Sequence, residues 1–183
     1  MSTGYFSHSA CRRHDMGPGH PECPERLVAI DDHLRAQGLD AVLLHRECPP
    51  ATLAQLSRAH DSNYVIGTLD ILQRLEQSGD HRAFDPDTVG MPGTREAALR
   101  AAGAAVAATD AVIDRQLANA FCAVRPPGHH ATRHETMGFC FFNNVAVAAR
   151  HALDVRGLQR VAVVDFDVHH GNGTEDIPVS YTH

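Results

Sequence analysis

Residues 161–174 read Val-Ala-Val-Val-Asp-Phe-Asp-Val-His-His-Gly-Asn-Gly-Thr. Four apolar residues run straight into alternating acidic and apolar ones. A short continuous apolar run marks a strand buried on both faces, as in a parallel sheet. In an extended backbone, successive side chains point to opposite faces. Asp165, Asp167 and His169 are therefore expected on one side, with Phe166 and Val168 on the other. Two carboxylates and an imidazole converging where a strand ends form a metal-ligand pattern, suited to zinc or a similar divalent ion. The competing reading is a plain strand-end turn, with Asp165 capping backbone and His169 on the surface.

Working outward, residues 160–166 are the clearest strand, and residues 120–124 form a shorter one before it. Between them, Asn143 or Asn144 starts a helix that stops before Gly157. Upstream, residues 94–117 form a long alanine-rich helix, apolar nearly all round and thus buried. Asp61 or Ser62 caps a helix running to residue 77, with Gly79 just past its end. Residues 24–37 form another, with Pro24 in its first turn and Gly38 at its stop. Residues 11–26 and 80–93 read as loops. Helices alternating with strands imply right-handed crossovers and a parallel sheet. The fold class expected is α/β, a three-layer parallel sheet with helices on both faces. In such sheets ligands bind outside the carboxyl ends of the strands. Two loops lie there, residues 125–139 and 167–174, and each holds a His-His pair.

Composition narrows the partners. The chain has 183 residues, enough for one core. Hydrophobic content is 43% and charged content 21%, ordinary for a globular domain. The net charge of −6 and the lack of any basic run argue against nucleic acid or an anionic membrane as partner. No apolar stretch approaches a membrane span, and the N-terminus lacks the apolar core of a signal peptide. Five cysteines, none in a Cys-x-x-Cys pair, point to a reducing, cytoplasmic compartment and away from a cysteine zinc site.

The first loop reads Arg125-Pro126-Pro127-Gly128-His129-His130-Ala131. Two prolines stiffen it, and Gly128 permits close backbone approach. Histidine titrates near neutral pH and is the natural proton shuttle. Beside a metal, one imidazole can take a proton from water and deliver it to a leaving amine. Asp165 or Asn172 could orient these rings. Adjacent histidines with unlike partners would have separate acid–base roles. Downstream, Phe139 follows Gly138 and is expected to line a narrow apolar channel, while Phe141 or Phe142 packs the core.

Three motifs carry a resemblance. Pro-Gly-His-His-Ala at 127–131, Met-Gly-Phe-Cys-Phe-Phe-Asn-Asn at 137–144 and Asp-Phe-Asp-Val-His-His-Gly-Asn-Gly-Thr at 165–174 resemble the histone deacetylase family. That family includes acetylpolyamine amidohydrolases and acetoin-utilisation proteins. Asn172 and the opening Gly-His-Pro-Glu-Cys-Pro-Glu-Arg at 19–26 resemble its class II and bacterial branch. The resemblance implies the arginase–deacetylase fold and zinc-dependent hydrolysis of N-acetyl-lysine, acetylated polyamine or similar acyl amides. It implies Asp167 and His169 as zinc ligands, His130 as general base and acid, and Asn172 as its partner. His129 then pairs with Asp165. Asp165, Asp167 and the His169 carbonyl match part of a structural potassium site. Phe139 matches a wall of the acyl-lysine tunnel, and Gly138 a backbone contact to substrate. Arg26 matches an internal arginine near an acetate exit path, and Asp85 or Asp87 a carboxylate at the tunnel rim.

The resemblance also implies what is still to be found. A catalytic zinc has three protein ligands and an open position, and two are identified here. Residues 1–177 are accordingly expected to be the N-terminal part of a deacetylase domain. Residues 178–183 depart from the family's pattern and read as a foreign tail. On this reading residues 1–183 alone fold poorly, bind zinc weakly and turn over little substrate. Two other functions compete: a dinuclear-metal ureohydrolase of the arginase type, and a non-catalytic module binding acyl-lysine or polyamine. The His129-His130 pair and the Phe139 segment argue against the first. The sequence leaves the oligomeric state open.

Overall fold

The computed structural model describes residues 2–177; the tail expected at 178–183 lies outside them. A parallel three-stranded sheet stands at the centre. It comprises β1 (Thr3–Ser7), β2 (Leu43–Glu47) and β5 (Asn119–Cys122), in the order β2-β1-β5. Thr3 lies opposite Leu43 on one flank and Asn119 on the other. A two-residue ribbon pairs β3 (Arg82–Ala83) with β4 (Val89–Gly90), antiparallel.

Helices cover both faces of the sheet, as the sequence predicts. On one face, α1 (Glu25–Ala36) packs Leu27, Ile30 and Leu34 against Tyr5, Leu43 and Ala123. On the other, α4 (Thr94–Ile113) lays Ala104, Ala108 and Ala111 against Phe6 and Leu117. Its small side chains let backbones approach closely: a Cβ on Gly103 would stand 1.9 Å from the Pro49 carbonyl oxygen. A third apolar cluster joins α4 to α2 (Leu53–Ala59), α3 (Ser62–Ser78) and α5 (Asn144–Asp154) through Leu56, Leu72, Phe141, Phe142 and Val147. No helix among the described residues is long and apolar enough to cross a membrane.

The expected helix ends hold where a cap fixes them. Asp61 accepts from Asn63 and Tyr64 N–H, Gly79 closes α3 in the left-handed region, and Asn143 accepts from Ala146 N–H. The alanine-rich helix ends earlier than expected, at Ile113 rather than near residue 117. Arg115 turns left-handed there (φ 59°), and the N–H groups of Gln116 and Leu117 both return to the Ala111 carbonyl.

The largest departure from expectation lies before Asp167. Residues 160–166 form no strand. Extended propensity alone does not hold a strand; its N–H and C=O groups must find a ladder and its faces must be covered. Among the described residues β5 pairs with β1 alone. Val161 to Val164 border an open groove of about 440 Å³ against α4 and α5. At its edge Val164 is 83% exposed, and beyond it Phe166 is 96% exposed.

Candidate active site

The two His-His loops meet at the carboxyl end of the sheet, and each tandem histidine finds a different partner. His129 Nδ1 lies 2.9 Å from Asp165 Oδ2, and His130 Nδ1 lies 2.6 Å from Asn172 Oδ1. Carboxylate and amide oxygens accept only, so both rings donate from Nδ1. The two ring centroids are 4.1 Å apart, and the His169 ring stands 5.9 Å from that of His130. The hydrogen bond from His129 holds the Asp165 carboxyl below the usual carboxylate range.

Close backbone packing makes this meeting possible, and glycine is required where it occurs. A Cβ on Gly173 would sit 2.2 Å from the Ala131 carbonyl oxygen, and one on Gly171 2.4 Å from Asp165 Oδ2. Gly173 lies in α6 (Asn172–Asp176), whose Thr174 N–H bonds the His129 carbonyl at 3.1 Å. On the other side, Gly138 (φ 53°) brings its backbone against the His130 ring, where a Cβ would stand 2.4 Å from Cδ2. Phe139 follows at φ 71°, its N–H bonded to Thr88 Oγ1 at 2.8 Å and its ring 4.7 Å from His20.

The expected metal trio does not converge. Asp165 turns to His129, while Asp167 turns to His169. Among the described residues no three His, Cys, Asp or Glu side chains are placed to hold one ion. Asp167 Oδ1 and His169 Nδ1 are 3.0 Å apart. With metal–ligand bonds of about 2.0–2.2 Å, two donors of one zinc can span that separation. The pair thus fits as two ligands of an ion. Asp167 also accepts the His169 N–H at 2.8 Å, and that bond chiefly lowers its pKa. Both side chains are exposed and border a wide, open cavity of about 980 Å³.

Two further expectations meet different surroundings. The Arg26 side chain is exposed, not internal, and reaches Glu22 at 3.3 Å. The internal guanidinium is that of Arg125, 1% exposed, which grips the Glu22 carboxylate at 2.5 and 2.7 Å and the carbonyls of Cys11 and His14 at 2.8 Å each. Of the rim candidates, Asp85 accepts the N–H groups of Asp87 and Thr88 in a tight turn, whereas Asp87 is exposed. Sequence reading misses Glu22, His60 and Thr88. They act through partners 51 to 103 residues away, which no local spacing announces.

Comparison with known proteins places the chain among relatives. A family model described as histone deacetylase domain matches residues 20–181. A histone deacetylase-like amidohydrolase of Pseudomonas aeruginosa is 38% identical, over 96% of this chain and 49% of its own length. The polyamine deacetylase HDAC10 of Rattus norvegicus is 43% identical, over 85% of this chain and 27% of its own. The crystal structure of an HDA15 HD domain superposes with a TM-score of 0.88 at 34% identity, covering 96% of this chain and 49% of that one. The chain therefore spans about half, or less, of the length of these relatives. With the family model, the sequence identities and the superposition in agreement, the chain belongs to the histone deacetylase family.

Proposed function

We propose that these residues carry the acid–base machinery and two metal ligands of a zinc-dependent deacetylase acting on acetylated lysine or polyamine. One observation carries the reading: neighbouring imidazoles held by unlike partners, a carboxylate at 2.9 Å and an amide at 2.6 Å. His130, its Nδ1 tied to Asn172 and its ring near that of His169, is the base that takes a proton from the attacking water. It then returns that proton to the leaving amine. His129, tied to Asp165, stabilises charge as it forms. Asp167 and His169 would hold the zinc, which supplies Lewis-acid polarisation of the amide carbonyl and an acidified water. Asp165, Asp167 and the His169 carbonyl would share a potassium ion. Phe139 forms a wall for the linear acyl chain, Gly138 contacts it through backbone, and Asp87 holds its far end. Polyamine as substrate is supported by the name of the HDAC10 relative. Five free thiols support a reducing compartment, the cytoplasm.

His130→Ala, made in the whole polypeptide that carries these residues, tests the reading. With acetyl-lysine peptide and acetylated polyamine as substrates, kcat is expected to fall roughly 10²–10⁴-fold. Unchanged turnover of both removes His130 from the chemistry.

A further inference from the structure

His60 follows the last turn of α2, 1% exposed, well behind the histidine pair. Its ring makes two hydrogen bonds, both to backbone. Nε2 lies 2.9 Å from the Asn143 N–H, which can only donate, so Nε2 bears the lone pair. Nδ1 therefore carries the hydrogen and donates to the Thr132 carbonyl at 2.8 Å. Two backbone groups thus demand one neutral tautomer. The rings of Tyr64 and Phe142 enclose it, at 5.5 and 5.7 Å.

Both bonds end in the machinery. Thr132 is two residues past His130. Asn143, itself fully buried, sends Nδ2 to the Ala131 carbonyl at 3.3 Å and to Thr174 Oγ1 at 3.1 Å. Ala131 adjoins His130, and Thr174 lies two residues past Asn172. The chain of contacts from His60 through Asn143 thus spans the two backbones whose separation sets the His130–Asn172 bond.

We propose that His60 is a positioning residue for His130: a neutral imidazole that clamps the histidine loop to the start of α5 and, through Asn143, to α6. A protonated ring would face the Asn143 N–H with a second N–H and open the clamp. The charged residues on the neighbouring segments are Arg58, Asp61, Arg133, His134, Glu135 and Asp176. Asp61 is engaged in capping α3 and Asp176 in accepting the Arg133 N–H, and among the described residues the ring's hydrogen bonds go to backbone. Arg133 and His134, both cationic when charged, oppose its protonation, as does burial, the larger cause. The catalytic role of the clamp rests on the function proposed above; its geometry does not.

The test compares His60→Gln, which keeps one donor and one acceptor, with His60→Phe, which keeps bulk and loses both. The first readout needs neither metal nor substrate. It is the ¹⁵N signature of His130 Nδ1 donating to Asn172, measured by NMR on the whole chain. His60→Phe is expected to lose that signature and His60→Gln to retain it. In the active polypeptide, His60→Phe should lower kcat roughly 10- to 100-fold with KM little changed, with Gln restoring most of the loss. A folded His60→Phe with the wild-type His130 signature, or a folded His60→Gln without it, overturns the proposal. Should His60→Phe not fold, Thr174→Val removes a single link with the ring in place; loss of the signature supports the clamp and its persistence overturns it. A wild-type protein that deacetylates nothing refutes the proposed function, and the NMR outcome still decides the clamp.

Discussion

The loop at 125–144 and the segment at 159–170 both supply the site, yet they are held in opposite ways. The loop is fastened from behind at every few residues: Arg125 to Glu22, Thr132 and Asn143 to His60, Phe139 to Thr88. The segment carries the most emphatic strand pattern in the chain and has no ladder; Phe166 and Val168 are 96% and 93% exposed. The difference separates the two parts of the proposed site. The histidines proposed to handle protons are fixed from behind, whereas Asp167 and His169, the proposed metal ligands, sit on backbone organised by a short turn of its own.

Breaking the loop's deepest anchor should have the largest effect of any single substitution. Arg125→Met would leave Glu22 charged and buried, and a loss of about 3–5 kcal/mol is expected in urea unfolding. A loss under about 1 kcal/mol would mean the pair does not hold the loop.

Acid should loosen the same region next. Burial chiefly lowers the pKa of His60 to about 4 and of His14 to about 3, from 6.5. Between those values the unfolded chain binds more protons than the folded one, so stability rises with pH. The contribution is whole above about pH 6.5 and is lost as pH falls toward 4, by about 2–3 kcal/mol for each ring at pH 4.5. Urea midpoints at pH 7 and 4.5 read it, and His60→Gln should remove its share of the drop.

Gly173→Ala should cost about 1–3 kcal/mol, because its Cβ would meet the Ala131 carbonyl oxygen at 2.2 Å. The smallest effect belongs to the segment. Phe166→Ala should change stability by less than about 0.5 kcal/mol, as for any exposed position. A loss near the 3–5 kcal/mol typical of a buried phenylalanine would mean the segment is packed in solution and the contrast is false.

What could be read from the sequence divides along the same line. Asp61, Gly79 and Asn143 mark helix ends through side chains or backbone freedom acting within a few residues, and the caps stand where expected. The pairing of His129 and His130 with Asp165 and Asn172 was legible through family motifs. β1 and β2 were not, being five residues each, one with a glycine in it and the other largely polar. α2 was missed although Thr52 and Gln55 form a reciprocal cap, a local signal available in the spacing. The strand at 160–166 failed for the converse reason: its pattern is local, but a strand exists through neighbours.

β1 is the middle strand of the described three-stranded sheet, and its two partners begin 40 and 116 residues later. During synthesis β1 therefore emerges before both partners and must wait for the later of them before these three strands can pair. Such long-range closure slows folding and leaves an apolar strand open to wrong partners in the meantime. Tyr5 and Phe6, both almost wholly buried in the end, are the side chains exposed during that delay.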